Sequence, residues 1–259
     1  MMALYSIITV TYNDFQNFQT THESVKSQTY KNFQWIVVNG KKGDDTDNYV
    51  KSIEGLNLKY LAEKDNGLYD AMNKGILRAD GEFLIFMNSG DVFSNENILS
   101  EIAEQIDSAV LKPNFIFGDS NEITPSNELL YRKSRSIHRK SIGMFTHHQT
   151  MFYDREIIFK ENIFYNQIYT IASDYQFTLQ FLKFSKHNLY LPFSICHFKQ
   201  GGLSHQNWRI GIKQQYNIRK EILNMKGIKN NIILFLQNVL HVVRFRFNSL
   251  YNLYRFKKK

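Results

Sequence analysis

The sequence predicts an α/β domain built on a mostly parallel sheet, followed by a helical C-terminal extension. Short apolar runs alternate with helical segments through the first half of the chain, a pattern typical of strand–helix–strand units. Each apolar run ends in small polar or acidic residues, as the strands of such sheets do where they form ligand sites. With 259 residues and 43% hydrophobic content, the chain is large enough for one such domain and a tail, which excludes intrinsic disorder and a mini-protein.

The first half of the chain contains the regular part of this pattern. The expected strands cover residues 4–10, 33–38, 58–61 and 82–87, and the expected helices cover residues 15–27, 68–79 and 95–109, with a further helical segment opened by residues 41–47. Asp14 is the expected capping residue of the first helix. This alternation predicts parallel strands joined by right-handed crossovers.

The second half is less regular. We expect a strand over residues 115–118 with Asp119 at its end, short strands over 129–132, 150–153, 189–191 and 195–198, and a helix over 173–184. We find no internal repeat and no low-complexity linker in the chain. We therefore predict one domain over residues 1–205.

Nearly all of the net charge of +8 lies in the last fifth of the chain. Residues 205–259 carry 12 Lys and Arg against one acidic residue, whereas residues 1–204 are slightly acidic. Helices are expected over residues 207–225 and from 228 onward, and the second is amphipathic. Its polar positions recur every three to four residues: Gln237, His241, Arg244, Asn248, Asn252, Arg255 and Lys259.

The apolar stretch 232–243 of this helix is shorter than the roughly 20 residues that cross a bilayer. We therefore predict that residues 228–259 lie on an anionic membrane surface, to which Lys257–Lys259 add attraction. A helix packed on the domain and an oligomer interface remain alternatives. Nucleic-acid binding is disfavoured, because no binding motif accompanies the basic residues.

Several other classes of protein are excluded or disfavoured. Cys196 is the single cysteine, so there is no intramolecular disulfide and no Cys-rich zinc site. The N-terminal residues lack the features of a signal peptide, which predicts a cytosolic domain. No Gly-x-Gly-x-x-Gly or Walker loop occurs, which disfavours dehydrogenases and P-loop NTPases.

Two groups of residues carry the expected chemistry. Asp91 follows a strand within Asn-Ser-Gly-Asp, where a carboxylate can bind a divalent cation and small neighbours let a diphosphate approach. A turn or capping role is the alternative. Asp70, Asn73 and Lys74 share one face near the start of a helix, where anions are favoured; a capped surface helix is the alternative.

Six motifs in order resemble one known family: SIITVTYN at 6–13, EKDNGLYDAMNKGI at 63–76, GEFLIFMNSGD at 81–91, His148-Gln149, ASDY at 172–175 and GGLS at 201–204. Together they resemble the family 2 glycosyltransferases, which have a GT-A fold, a Rossmann-like and mostly parallel sheet flanked by helices. The resemblance covers roughly residues 3–205. It is closest in kind to the small bacterial enzymes that assemble O-antigen and capsular polysaccharides.

The resemblance implies an inverting transfer of a hexosyl or N-acetylhexosaminyl group from a nucleotide diphosphate sugar, most readily a UDP-sugar, to a lipid-linked oligosaccharide. It implies that Asp91 holds Mg²⁺ or Mn²⁺ and that Asp174 is the catalytic base, while an N-cap role is the alternative for Asp174. The nucleotide-sugar site implied by the resemblance comprises Thr9, Thr11, Tyr12, Asn13, Asn39, Asp65, Asn66, Gly67, Asp70, Asn73, Asn88 and Ser89.

The acceptor side is expected to include Asp119, His148 and Gln149, with Gly201 and Gly202 in a loop that closes over the site. A structural role is an equal alternative for the histidine pair His147-His148. Three positions depart from the family pattern. Asn39 stands for the usual Asp, Asn88-Ser89-Gly90-Asp91 for Asp-Ser-Asp-Asp, and Met72 for an Arg.

The implied partner is a polyprenyl-diphosphate-linked acceptor, reached from the cytoplasm by an enzyme peripheral to the inner face of the cytoplasmic membrane; an oligomer is possible. The alternative function is a non-catalytic protein that binds nucleotide sugars and membranes on a degenerate fold, because two carboxylates are missing at Asn88 and Gly90. A nucleotidyltransferase is a weaker alternative, since no arginine- and glycine-rich phosphate loop occurs near the N-terminus.

Overall fold

The computed structural model describes residues 3–246, apart from the side chains of residues 244 and 245. Its strands are β1 Tyr5–Thr11, β2 Phe33–Asn39, β3 Leu58–Ala62, β4 Phe83–Phe86, β5 Val92–Phe93, β6 Phe115–Ile123, β7 Leu129–Arg132, β8 Met151–Asp154 and β9 Asn188–Lys199. Its helices are α1 Phe15–Lys26, α2 Asp45–Val50, α3 Leu68–Ile76, α4 Ile98–Asp107, α5 Arg155–Lys160, α6 Ser173–Phe181, α7 Leu203–Gln206, α8 Trp208–Ile222 and α9 Ile228–Arg246.

These strands form one sheet in the order β3-β2-β1-β4-β8-β6-β9-β5, with β7 paired to β6. The β3-β2-β1-β4 half is parallel throughout. The other half is mixed, because β8 runs antiparallel to both β4 and β6, whereas β9 runs parallel to β6. The predicted α/β fold with a C-terminal helical extension is confirmed.

Two apolar layers cover the two faces of the sheet. Every residue of β1 and β2 is buried, and alternate side chains of each strand point to opposite faces. On one face, Phe18 of α1 stacks on Trp35 of β2 with ring centroids 5.7 Å apart. On the other face α3 packs so closely that a Cβ on Gly75 would lie 2.5 Å from Cγ2 of Ile8, so this position requires glycine.

The sequence prediction was wrong at several boundaries in the second half. β6 continues five residues past Gly118, so Asp119 lies inside the strand and not at its end. The two short strands expected over 189–198 are one strand, β9. The pairing of β6 with β9 shifts register at Asp119, and this irregularity interrupts the alternation from which strands are predicted. The short elements β5, α5 and α7 were not predicted.

Polar contacts hold the two C-terminal helices to each other and hold α9 to the domain. Arg219 of α8 is fully buried; its Nε donates to Asn230 Oδ1 at 2.7 Å and its Nη2 to Gln237 Oε1 at 3.2 Å, both on α9. Gln237 Nε2 also donates to the carbonyl oxygen of Ile142 at 2.8 Å. The polar side of α9 therefore faces the protein, in agreement with the packed-helix alternative.

The opposite side of α9 is apolar and exposed. Its side chains there are between 40% and 66% exposed, namely Phe235, Leu236, Val239, Leu240, Val242 and Val243. We call these residues the outer face of α9. None of the described helices is long and apolar enough to cross a membrane. The predictions for Asn248, Asn252, Arg255, Lys257–Lys259 and the side chain of Arg244 fall outside the described residues.

We predict that Arg219→Met lowers the free energy of unfolding by about 3 kcal/mol, because the change leaves the buried amide oxygens of Asn230 and Gln237 without their donor. Chemical denaturation measures the loss, and hydrogen exchange should show that the amides of α9 lose protection first. Lys220→Met, at the neighbouring exposed position, is the matched control. Equal stability of the two variants would contradict a structural role for Arg219.

Candidate functional site

Residues after three parallel strands meet at one edge of the sheet. A Cβ on Gly40, which follows β2, would lie 2.0 Å from Asp65 Oδ2 and 3.0 Å from Cδ2 of Tyr12. Asp65 follows β3 and Tyr12 follows β1, so two predicted nucleotide-binding residues lie together. The backbone N–H of Gly67 donates to Asp65 Oδ1 at 2.9 Å, which holds the carboxylate, while the Tyr12 ring is 66% exposed.

Asn39, at the end of β2, is part of a buried polar network. Its Nδ2 donates to Asp44 Oδ1 at 2.8 Å and to the Tyr60 hydroxyl at 3.3 Å, and its Oδ1 accepts from the Lys41 N–H at 3.0 Å. Position 39 lacks the carboxylate of the family pattern, but Asn39 is hydrogen-bonded to the carboxylate of Asp44. We did not predict a role for Asp44, although it lies in the polar stretch directly after β2. Asn13 joins this group, since its Oδ1 accepts from Lys41 Nζ at 3.0 Å.

Three of the predicted nucleotide-binding residues have structural contacts. Thr9 is fully buried, and its Oγ1 accepts from Trp35 Nε1 at 2.9 Å. Asn73 makes two hydrogen bonds of 2.9 Å with the backbone of Tyr165. Asp70 accepts from the Asn66 N–H at 2.9 Å and pairs with Lys74 at 3.2 Å. The Asn73 bonds, together with a hydrogen bond of 3.1 Å from Gln167 Nε2 to Asp70 Oδ1, hold α3 against the loop before α6.

Thr11 differs from these three residues. Its Oγ1 is buried and has no hydrogen-bond partner among the described residues. It lies opposite Asn39 in the parallel pairing of β1 with β2. An unpaired polar atom at this edge is available to a ligand.

Asp91 is a buried carboxylate that forms no ion pair with any of the described residues. It is 7% exposed, and its Oδ2 accepts from Gln149 Nε2 at 2.8 Å. Desolvation raises the pKa of Asp91 to about 7, although the hydrogen bond from Gln149 and the more distant charge of Lys199 oppose the shift. Binding a proton or a metal ion would offset the cost of burying the negative charge of this carboxylate.

The segment 147–150 brings two predicted acceptor-side residues to residues 88–91. The short 3-10 helix His148–Thr150 places His148 Nε2 3.2 Å from Asn88 Nδ2. Desolvation lowers the pKa of His148 to about 4, so the imidazole is neutral at pH 7 and can accept this hydrogen bond. With Gln149 bound to Asp91, this helix contacts both ends of the Asn-Ser-Gly-Asp motif.

The donor set around Asp91 fits a hard divalent cation in part. Asn88 Oδ1 is buried and has no hydrogen-bond partner within the part of the chain described, so it offers a neutral oxygen on a residue whose carbonyl oxygen accepts from the Asp91 N–H at 2.9 Å. Residues 3–246 contain no cluster of three His, Cys, Asp or Glu side chains suited to a metal. Two protein oxygens, completed by phosphate and water, are a common arrangement for Mg²⁺.

Asp14 is a second carboxylate next to this motif. Although it occupies the N-cap position of α1, its side chain makes no capping hydrogen bond. It accepts instead from Ser89 Oγ at 3.1 Å and from Asn17 Nδ2 at 2.9 Å. Lys199 Nζ donates to Asn17 Oδ1 at 3.3 Å, so the ends of β1, β4 and β9 are joined around Ser89.

Asp174 lies in the first turn of α6, and Ala172 occupies the N-cap position, so the capping alternative for Asp174 is wrong. Its Oδ1 accepts from the N–H of Tyr175 at 2.7 Å. Desolvation raises the pKa of Asp174 to about 6. The start of α3 lies beside it, because the Tyr69 hydroxyl donates to the carbonyl oxygen of Ile171 at 2.8 Å.

Asp119 is a fully hydrogen-bonded carboxylate within the sheet. It is 1% exposed and accepts from the hydroxyls of Tyr131 and Tyr190 and from the N–H of Ser134. Gly201 and Gly202 lie in an exposed loop, and nothing lies within 4 Å of a Cβ built on either residue. Gly201 has a φ of 98°, a value that favours glycine.

The chain matches the family model described as glycosyl transferase family 2 over residues 6–160. An uncharacterized glycosyltransferase of Mycobacterium tuberculosis is 37% identical over 102 residues, which are 39% of this chain and 39% of that protein. The chain is also 27% identical over 180 residues to a PGL/p-HBAD biosynthesis glycosyltransferase of Mycobacterium bovis, covering 68% of this chain and 69% of the relative.

Solved structures share the fold. The structure of S. aureus TarS 1-349 in complex with UDP superposes with a TM-score of 0.68 over 93% of this chain and 71% of that chain, at 18% identity. The mannosyltransferase PcManGT from Pyrobaculum calidifontis, in complex with GDP-Man and Mn²⁺, gives a TM-score of 0.63 over 91% of this chain and 69% of that chain, at 13% identity.

We predict that Asp91→Asn stabilises the protein above pH 7 in metal-free buffer. Because the pKa of Asp91 is raised on folding, its contribution to stability is complete below its unfolded pKa and is lost as the pH rises through about 7. The gain at pH 8 should be on the order of 2–4 kcal/mol, and it should vanish below pH 4. Denaturation curves across this pH range, with Asp45→Asn at an exposed position as control, measure it.

A second arm of this experiment tests metal binding. Adding Mn²⁺ with UDP should raise the Tm of the parent protein more than that of Asp91→Asn, because a ligand that binds only the native state stabilises it. Equal shifts in the two proteins would contradict Asp91 as a metal ligand.

Proposed function

The chain belongs to glycosyl transferase family 2, and we propose that it transfers a hexosyl or N-acetylhexosaminyl group from a UDP-sugar to a lipid-linked oligosaccharide, with inversion. One observation carries the proposal. The residues after the parallel strands β1, β2 and β3 bring Tyr12 and Asp65 together at one edge of the sheet, and the buried carboxylate Asp91 follows β4, which is parallel to them. We place this reaction in the assembly of a surface polysaccharide, such as O-antigen or capsule.

The donor pocket we propose lies between the ends of β1, β2 and β3. The exposed Tyr12 ring offers a face on which a nucleotide base can stack, and Asp65 and the Asn39–Asp44 pair offer acceptors for its N–H groups. UDP fits this proposal, since TarS was solved with UDP and with UDP-GlcNAc. The match with the first relative covers only 39% of that protein, so the donor assignment depends on the contacts of this chain.

Asp174 is the proposed catalytic base. The acceptor hydroxyl attacks the anomeric carbon from the side opposite the diphosphate, its proton passes to the Asp174 carboxylate, and the bond from the anomeric carbon to the phosphate oxygen breaks. A pKa of about 6 leaves the carboxylate ionised at pH 7 while making it a stronger base than an exposed Asp. The Tyr175 N–H holds Oδ1, which leaves Oδ2 available to the acceptor.

The departing diphosphate requires positive charge. Asp91 and the free oxygen of Asn88 would hold Mg²⁺ or Mn²⁺, and that ion supplies the charge when it is bound. Gln149 and His148 orient the two ligands by the hydrogen bonds described above. Because Asn88 and Gly90 replace carboxylates, we expect weaker metal binding than a site with three acidic ligands would give.

We also propose that the enzyme works at the cytoplasmic face of a membrane, as a lipid-linked acceptor demands. The outer face of α9 forms one apolar stripe, and residues 222–246 contain no acidic side chain. An apolar stripe flanked by basic residues is typical of helices that lie in the interface of an anionic bilayer. The predicted division into a catalytic domain, 1–205, and a membrane-associating tail, 206–259, follows from this proposal.

We predict that Asp174→Asn lowers kcat by about a thousandfold and leaves the affinity for UDP unchanged. In the parent protein, kcat/KM should rise with pH until about 6 and then level off, because only the ionised carboxylate accepts the proton. Transfer from a panel of UDP- and GDP-sugars to a lipid-linked acceptor, with Asp45→Asn as control, measures both effects.

Undiminished transfer by Asp174→Asn would remove Asp174 as the base. UDP binding without turnover on any acceptor would instead favour a non-catalytic binding protein. Calorimetry with UDP separates these results from a general loss of the donor site.

We predict that Leu236→Glu with Leu240→Glu reduces binding to phosphatidylglycerol vesicles at least about tenfold, since charges on an insertion face must be desolvated. Cosedimentation measures the binding. Val110→Glu with Leu111→Glu, at exposed apolar positions that are distant from α9 in the sequence, should leave vesicle binding unchanged. Vesicle binding that is equal in both pairs would contradict the assignment of the outer face of α9.

A further inference from the structure

An apolar groove runs between α9 and the segment that follows the 3-10 helix Ile137–Ser141. Its volume is about 530 Å³, and it is lined by Ser141, Ile142, Ile228, Lys229, Ile232 and Ile233. Ile142 is 43% exposed and Ile232 is 52% exposed. Four isoleucines therefore form the walls of an open groove on the side of the domain where α9 attaches.

Basic residues lie in both chain segments that form the groove, and Lys229 is part of its lining. Residues 129–153 on one side and 222–246 on the other contain no Asp or Glu. Arg139 and Lys140 belong to the 3-10 helix, and Lys229 lies on α9. Within residues 3–246, none of these three makes an ion pair. Cations bordering an apolar groove complement a ligand with an apolar chain and an anionic head.

One side chain connects the groove to the proposed base. The hydroxyl of Tyr175, the residue after Asp174, donates to the carbonyl oxygen of Lys140 at 2.7 Å. Ser141 and Ile142, which directly follow Lys140, are held from the other side by Gln237 of α9 through the Ile142 carbonyl. The wall of the groove is therefore attached both to the helix that carries Asp174 and to α9.

We propose that this groove binds the isoprenoid chain next to the diphosphate of the lipid-linked acceptor, with Arg139, Lys140 and Lys229 binding the diphosphate. The inference rests on the proposed function and assigns its acceptor lipid a place on this chain. The isoprenoid lies on the four isoleucines, the diphosphate lies at the basic border, and the attached sugar extends toward Asp174. The adjoining outer face of α9 then meets the bilayer from which the lipid comes.

Calorimetry with farnesyl diphosphate, a soluble isoprenoid diphosphate, tests the groove. Saturating UDP is present, so that the diphosphate does not occupy the donor site. We expect the parent protein to bind farnesyl diphosphate and not inorganic diphosphate. Arg139→Gln/Lys140→Gln/Lys229→Gln and, separately, Ile142→Ser/Ile232→Ser should each weaken binding at least about tenfold.

Two controls match these variants in number and exposure. Lys160→Gln/Lys183→Gln/Lys186→Gln removes three exposed cations elsewhere, and Val110→Ser/Leu111→Ser removes two exposed apolar side chains. Neither should change farnesyl diphosphate binding. The altered groove positions are exposed or half-buried, and a thermal melt of each variant confirms that it is folded.

Unchanged binding in both groove variants would overturn the proposal. If the groove fails while UDP binds and Asp174→Asn abolishes transfer, the proposed function stands without it. If UDP does not bind, the proposed function fails, and farnesyl diphosphate without nucleotide still tests the groove.

Discussion

Parallel pairing of β1 with β2 and β4 decides where the polar side chains of this protein lie. Thr11 pairs with Asn39 and Ile8 with Phe86, so the chain leaves all three strands at one edge of the sheet. The strands are buried on both faces and have no room for exposed polar groups. Polar residues therefore collect in the loops beyond that edge, and the close packing of α3 at Gly75 brings Asp65 and Gly67 to the same place.

The position of the antiparallel strand β8 brings two further side chains to the residues that follow the parallel strand β4. It lies between β4 and β6 and runs antiparallel to β4, so the segment 147–150 that precedes β8 lies beside residues 88–91. From this position Gln149 contacts Asp91 and His148 contacts Asn88. Both contacts are made by neutral groups. They satisfy hydrogen bonds but leave the charge of Asp91 uncompensated, and a buried carboxylate in that condition favours a proton or a cation. The fold therefore holds a buried carboxylate that a bound cation would stabilise.

The sequence was sufficient for features that depend on local pattern and insufficient for those that depend on distant pairing. The ends of β1, β2 and β4 were predictable, because the apolar run of each strand is followed by polar residues, Thr11, Asn39 and Asn88. The side-chain hydrogen bonds to Asp119 come from Tyr131 on β7 and Tyr190 on β9, and the pairing of β9 with β6 includes a register shift at Asp119. Amphipathic spacing showed that residues of α9 share a face, but only the buried Arg219 shows which face is covered.

Arg219 has a further consequence for how this protein can be dissected. Burial raises the pKa of the Tyr175 hydroxyl and the nearby Arg219 guanidinium opposes that shift, and the same guanidinium holds Asn230 and Gln237. Deleting α9 would therefore expose a buried cation and loosen the helix that begins beside Asp174. A truncated protein that lost activity would report damage to its own interior and would give no information about location in the cell. Substitutions confined to the outward-facing side chains of α9 leave the interior intact and separate these two effects.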